Sequence, residues 1–484
     1  MNSFPSLAAR TGVWLLVAAV VLPQTTAKSD DAAVAARMSR LEAETQALRA
    51  ELEWMREQPV RLPAVEATPV SMSTELIAPA AAQDTEFYTL DELKGEMKKL
   101  AWTKGDFKIV PYGFLWADMI YGTDRTYPGA YTLWVPSRPT QGEEMFVIDA
   151  RRTRLGLNIE GPRIAYFNNA KSGGQVEIDF MGVMDSIENK PSILLRHAYW
   201  EAKNDYMRIV VGQTWDLISP LYPGTLSYSV GWDGGNIGYR RTQFRLERYF
   251  HVSDTLLLTA ATSLNQDIVP DLATVANVNR ESAGWPVIMW RTAATIGPRG
   301  KGCRPLEVGV SGHIGETGLD FLVAGPPPLN LPPRDDMRFR TWSLNLDVKK
   351  QLTDRLGVQG ELFTGENLSP FLGGIGQGVC IGSRNTIRAA GGWIDGWFDI
   401  TPKLHMHAGY GIDDPNNVDF LYGRTYNHFI FWNLSYDITK QLVSGIEVTS
   451  WKTLYQDRRP APLNTAPTLP GESVTIEWMV KYGF

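Results

Sequence analysis

SVTIEWMVKYGF, residues 473–484, alternates without a break. Val474, Ile476, Trp478, Val480, Tyr482 and Phe484 share one face, and Ser473, Thr475, Glu477, Met479, Lys481 and Gly483 share the other, because successive side chains of a strand point to opposite sides. Twelve residues exceed the usual soluble strand of about 5–6. They suit a tilted strand crossing lipid, which needs about 9–11 residues, apolar outside and polar inside.

The same alternation recurs near 107–120, 146–160, 174–183, 193–203, 206–213, 237–250, 254–264, 286–297, 305–315, 339–351, 355–365, 387–400, 403–412, 427–439 and 441–453. With 473–484 this predicts an all-β fold, a 16-stranded antiparallel transmembrane β-barrel over residues 105–484. The connections agree. Asn204-Asp205, Val252-Ser253, Thr353-Asp354, Thr401-Pro402 and Thr439-Lys440 read as tight turns, and long loops fall near 214–236, 265–285, 316–338, 366–386, 413–426 and 454–472. Short turns lie on the side where the chain enters, as in outer-membrane barrels. A soluble sandwich has no reason to sort its loops this way.

Composition narrows the class further. The 484 residues carry a formal charge of −6, with 16 Trp, 18 Tyr and 18 Phe. Near-neutral charge gives no reason to expect nucleic acid as a partner. Residues 1–27 read as a signal peptide, with Arg10 before an apolar stretch from Gly12 to Leu22 and Thr25-Thr26-Ala27 at its end. Residues 30–58 predict a coiled coil for oligomerisation: Val34, Leu41, Leu48 and Met55 recur every seven residues, with Met38, Thr45 and Leu52 between them. These seam residues fit a dimer or a trimer. Residues 59–104 read as a Pro/Ala-rich linker followed by a short helix from Leu90 to Trp102, a spacer or a plug.

Phase sets which side chains face the lumen. Leu155, Leu157 and Ile159 face lipid, so Arg152, Arg154, Asn158 and Glu160 face inward. By the same argument Glu177, Asp179, Arg241, Gln243, Arg245 and Glu247 line the pore wall. Arg240 and Arg248 share the lipid phase and are expected at the two membrane interfaces, where long side chains snorkel. The fourth strand reads in either phase. A mid-membrane Arg facing lipid costs about 2–4 kcal/mol, which sets Arg196 inward. Residues 105–250 hold twelve Arg and four Lys, and Arg pairs carboxylates through a planar fork. On a pore wall these arginines would favour anions, or they would pair with wall carboxylates and stiffen the barrel. The apolar, Gly-rich loop 214–236 is expected to fold inward and narrow the pore, its Asp216 and Asp233 facing the arginines of strands two, four and six. A subunit-contact role for this loop is the alternative.

The segments RRTRLGLNIEG (151–161), GGQVEIDF (173–180), LRHAYWEAKN (195–204), VGQTWDLISPL (211–221) and NIGYRRTQFRLERY (236–249) resemble the DcaP-like porins of Gram-negative bacteria and related porins of planctomycetes. The terminal Phe484 resembles the C-terminal signature of outer-membrane barrels. The resemblance is specific over about 107–250. It implies a homotrimer in outer-membrane lipid, the coiled coil in the periplasm, and diffusion of small, often anionic solutes such as dicarboxylates.

Two other functions compete with a porin: a plugged structural barrel tethering the envelope, and a barrel enzyme. An enzyme needs a nucleophile beside a base; His197 and His313 show no such partner in sequence, His251 lies at a periplasmic turn and His428 at a strand start. His405 and His407 both face the lumen without a visible third ligand, and Asp413–Asp419 lacks the spacing of a calcium loop. No cofactor or metal is expected. Cys303 falls in a periplasmic turn and Cys380 in an external loop, far beyond the ~7 Å reach of a disulfide. Intact-mass spectrometry should therefore find no change on reducing the monomer. A gain of two hydrogens would refute the topology.

Overall fold

A computed structural model describes residues 101–484 apart from 138–142, 183–190, 269–277, 282 and 301. The expected signal peptide, coiled coil and most of the linker and short helix lie outside the described residues. The last residue of that expected helix, Trp102, instead begins a short strand, Trp102–Lys104, folded back on Phe107–Ile109.

Sixteen antiparallel strands form the barrel: β1 (Phe107–Gly122), β2 (Met145–Asp149 continued by Arg154–Ile164), β3 (Ala170–Asp179), β4 (Leu194–Lys203), β5 (Met207–Trp215), β6 (Arg240–Ser253), β7 (Leu256–Asn265), β8 (Val287–Ile296), β9 (Leu306–Phe321), β10 (Arg334–Gln351), β11 (Leu356–Glu366), β12 (Arg388–Asp399), β13 (Leu404–Pro415), β14 (Tyr422–Asp437), β15 (Leu442–Asp457) and β16 (Gly471–Gly483). Each pairs with its neighbours in the chain, and β16 closes on β1 from Phe114↔Gly483 to Gly122↔Thr475. Closure leaves no sheet edge to face lipid. Phe484 seals the seam: its N–H donates to Gly113 O at 3.0 Å, and its C=O accepts from Gly113 N at 3.1 Å. β2 breaks at Ala150–Thr153, where Arg151 Nε donates to both oxygens of Asp149 at 3.0 and 2.8 Å.

The predicted two-faced pattern is the observed one. On β16 and just past its end, Val474, Ile476, Trp478, Tyr482 and Phe484 are 40–55% exposed, whereas Ser473, Thr475, Glu477 and Met479 are at most 7%. Leu155, Phe244, Leu246, Leu362, Ile394 and Ile430 also point outward and stay exposed. A continuous apolar exterior around a closed sheet is a surface made for lipid.

Turn chemistry is written in the sequence. Thr353, Thr401 and Thr439 each stand three residues before a leucine that opens the next strand. Each threonine Oγ1 accepts the N–H of that leucine at 2.9–3.0 Å. Asn204 does the same for Met207 at 2.9 Å. Short polar side chains that capture the backbone two and three residues ahead make tight turns. The expected long loop at 413–426 is shorter, 416–421, because β13 and β14 run further outward. There Arg388 donates Nε and Nη2 to the Asp419 carboxylate at 2.9 and 2.8 Å, holding that carboxyl below its ordinary range.

Phase makes a sharp mutational prediction. Ile476→Arg, on the lipid face, should destabilise the folded barrel by about 2–4 kcal/mol. Thr475→Arg, facing inward, should cost far less. Folding titrations in lipid vesicles would check this; equal costs would contradict the phase.

Candidate functional site in the barrel lumen

The ambiguity of the fourth strand has a structural cause. Glu177 pairs with His197 while Ile178 pairs with Leu195, so Arg196 is an extra residue in β4. Such a bulge re-aims side chains, and here Arg196 and His197 both point inward. Arg196 Nε donates to Glu177 at 2.8 Å and Nη1 to Asp179 at 2.7 Å. Tyr112 Oη donates to the other Glu177 oxygen at 2.8 Å.

The remaining wall arginines are also engaged. Arg152 Nη1 donates to Asp118 at 3.2 Å and Glu477 at 3.0 Å. Arg241 Nε donates to Asp216 at 2.7 Å, both side chains essentially solvent-free. Arg245 donates to Gln243 at 2.8 Å and to Glu247 at 3.4 Å. Arg154 is held more loosely, its Nε 3.5 Å from Glu177. Arg240 departs from expectation: it is buried, its guanidinium 4.4 Å from the Trp215 ring and 4.8 Å from Tyr239. Its apolar-phase position lies where β6 begins, and the folded loop covers it. Arg248 remains exposed.

Segment 216–239 runs inward from β5 and crosses to the far wall. Leu221 N donates to Glu361 at 2.8 Å, and Gly224 N to Asp395 at 2.9 Å. Glu447 accepts from Thr225 Oγ1 at 2.6 Å, Leu226 N at 2.7 Å and Asn433 Nδ2 at 2.8 Å. Gly224 is required, since a Cβ there would lie 2.0 Å from His407 Nδ1. Asp216 meets Arg241, an arginine of strand six. Asp233 does not meet the arginines of strands two, four or six. It accepts from Gly376 N at 2.8 Å, with Arg424 of β14 as its charged neighbour. The loop has already crossed the barrel at that point.

Sequence reasoning missed the apolar packing inside the outer half of the barrel. Tyr131 and Leu133 of the first external loop join Tyr228 and Trp232 against inward-facing Ile120, Met145 and Val147. Leu217, Ile218 and Ile237 join Leu368 and Phe371 against Val287, Met289 and Phe363. Val135 packs on Phe429, Phe431 and Trp451. The signal was present: 429–432, FIFW, is apolar in both phases.

The histidines find local partners. His405 lies 2.6 Å from Asp399 and 3.3 Å from Asp437, and His407 lies 3.2 Å from Asp395. His313 is buried between Ser343 at 2.7 Å and Thr341 at 2.9 Å, with Phe371 stacked on its ring. Neither His313 nitrogen meets a carboxylate that could orient it as a base. Among the described residues no group of three or more ligands is arranged to hold a metal ion. Cys303 and Cys380 are free thiols.

No family model matches the sequence, and no curated protein matches it. Solved structures do match. The outer-membrane channel DcaP of Acinetobacter baumannii superposes with a TM-score of 0.61 at 17% identity, covering 79% of this chain and 99% of that one. An anion-selective porin from Comamonas acidovorans gives 0.48 at 10% identity, covering 78% and 100%. OprB of Pseudomonas putida gives 0.47 at 9%, covering 81% and 97%. The described chain therefore has the fold of the Acinetobacter baumannii outer-membrane channel DcaP.

Proposed function

We propose that this chain is an outer-membrane porin of a Gram-negative-type bacterium, passing small hydrophilic, anionic, dicarboxylate-like solutes by passive diffusion. One observation carries the reading: a closed 16-stranded barrel, apolar outside and ionic inside, crossed by a loop tied to its far wall. Solutes are filtered by size beside segment 216–239 and by the field of wall charges. The unit is a homotrimer, its coiled coil over 30–58 standing in the periplasm.

The apolar clusters beneath the external loops favour a second reading, a closed structural barrel of the envelope. Conductance decides between them. Purified protein in a planar bilayer under a KCl gradient should insert in conductance steps that close in thirds, with a reversal potential on the chloride side. Potassium preference would keep the porin and remove the anion reading. No current from folded protein would establish the closed barrel.

Truncating residues 1–58 tests the assembly. Loss of the seam should shift the detergent-solubilised protein from trimer toward monomer in native mass spectrometry. An unchanged trimer would show that the barrels associate without it.

A further inference from the structure

Most wall arginines are badly placed to act on a passing ion. The Arg196 and Arg241 side chains are 5% and 0% exposed, each in a short ion pair, and their charge is cancelled where it sits. Lys481 differs. It stands on the inward phase of β16, half-buried, and among the described residues no carboxylate lies within 4.0 Å of its Nζ. Its ammonium instead faces aromatic rings, 4.9 Å from the Phe114 centroid and 5.9 Å from that of Trp116.

Phe114 has a second cation. The Arg154 guanidinium is 5.0 Å from its ring, and the Arg154 side chain keeps 25% exposure. Among the described residues its one carboxylate contact is the long one to Glu177, whose oxygens already accept from Arg196 and Tyr112 at 2.8 Å. Strand register brings the group together: Phe114 pairs with Arg154 on β2, and its neighbour Trp116 pairs with Lys481 on β16. A ring face attracts a cation without cancelling its charge. A carboxylate would cancel it.

We propose that Lys481 and Arg154 are the anion-attracting element of the pore, with Phe114 as the positioning residue that holds both cations, leaving the Lys481 charge free and that of Arg154 only loosely paired. The proposal rests on the porin reading and names the residues that would set its ion preference.

Reversal potentials under a KCl gradient test it in the full-length protein, with folding of each variant checked by heat-modifiable gel migration. Lys481→Met should lower the chloride-to-potassium permeability ratio about threefold, the weight of one unit charge a few ångströms from an ion in water. Phe114→Leu should lower it part of the way, and Phe114→Trp should restore it. Lys349→Met is the control, another inward-phase lysine on a ring, 5.9 Å from Trp397, but with the Glu307 carboxylate opposite it in register on β9, and should shift the ratio less. An unchanged ratio in Lys481→Met or Phe114→Leu overturns the proposal, as does an equal shift in Lys349→Met. The wild-type sign tests the anion reading separately, because a cation-preferring channel that moves further toward potassium in Lys481→Met keeps the element and loses that reading. If folded protein carries no current, acetylation of Lys481 by an anionic succinimidyl ester, followed by peptide mass spectrometry, puts the same question. Malonate should protect Lys481 in wild type and fail to do so in Phe114→Leu; equal protection in both overturns the proposal.

Discussion

A backbone N–H or C=O left unpaired in hydrocarbon costs several kcal/mol, and a strand that crosses lipid cannot recover it from water. The rest of this structure depends on that constraint. It forces β16 to find β1 across more than 350 residues of chain, about the whole length of the barrel. It forces every strand to keep one apolar phase outward, which leaves the inward phase free to be ionic. It also explains why the terminal phenylalanine engages Gly113 through both its backbone groups, since that pair extends the seam to the last residue.

Inside the closed sheet a different constraint takes over. A charge buried in the lumen must be paired and hydrogen-bonded, and losing one partner of a buried pair costs about 3–5 kcal/mol. Arg241–Asp216 fixes the start of segment 216–239, and Glu447 on the opposite wall fixes its middle with donors from the loop, from Asn433 and from Thr449. The loop is thereby a tied chord and not a free flap. Apolar clusters under the first, third and sixth external loops add to its fixity. Lys481, set against the Phe114 and Trp116 rings, is an exception to this pairing among the inward-facing cations of the described strands.

The strands and turns were legible because period-2 alternation and its short breaks, such as Thr353-Asp354 and Thr439-Lys440, are local signals. Glu177, Asp179, Arg241 and Glu247 were placed inside by phase alone, and the structure has them there. What was not legible depends on contacts distant in sequence. The bulge at Arg196 shifts phase by one residue, and nothing local marks it. Sequence alone sets Asp233 against the near wall because a loop read as sequence has no far wall; Arg424 and Gly376 lie more than 140 residues away. Arg240 keeps the lipid phase on paper, but Trp215 and Tyr239 enclose it. The approach of Lys481 and Arg154 to one Phe114 ring emerges only when strand register joins the two ends of the barrel.

Whether segment 216–239 limits passage through the barrel is decided by the single-channel conductance of the full-length protein, before and after residues 217–238 are replaced with a short Gly-Ser turn. Conductance should rise severalfold in the shortened protein while the barrel remains folded. Equal conductance in the two would place the limiting element elsewhere in the lumen.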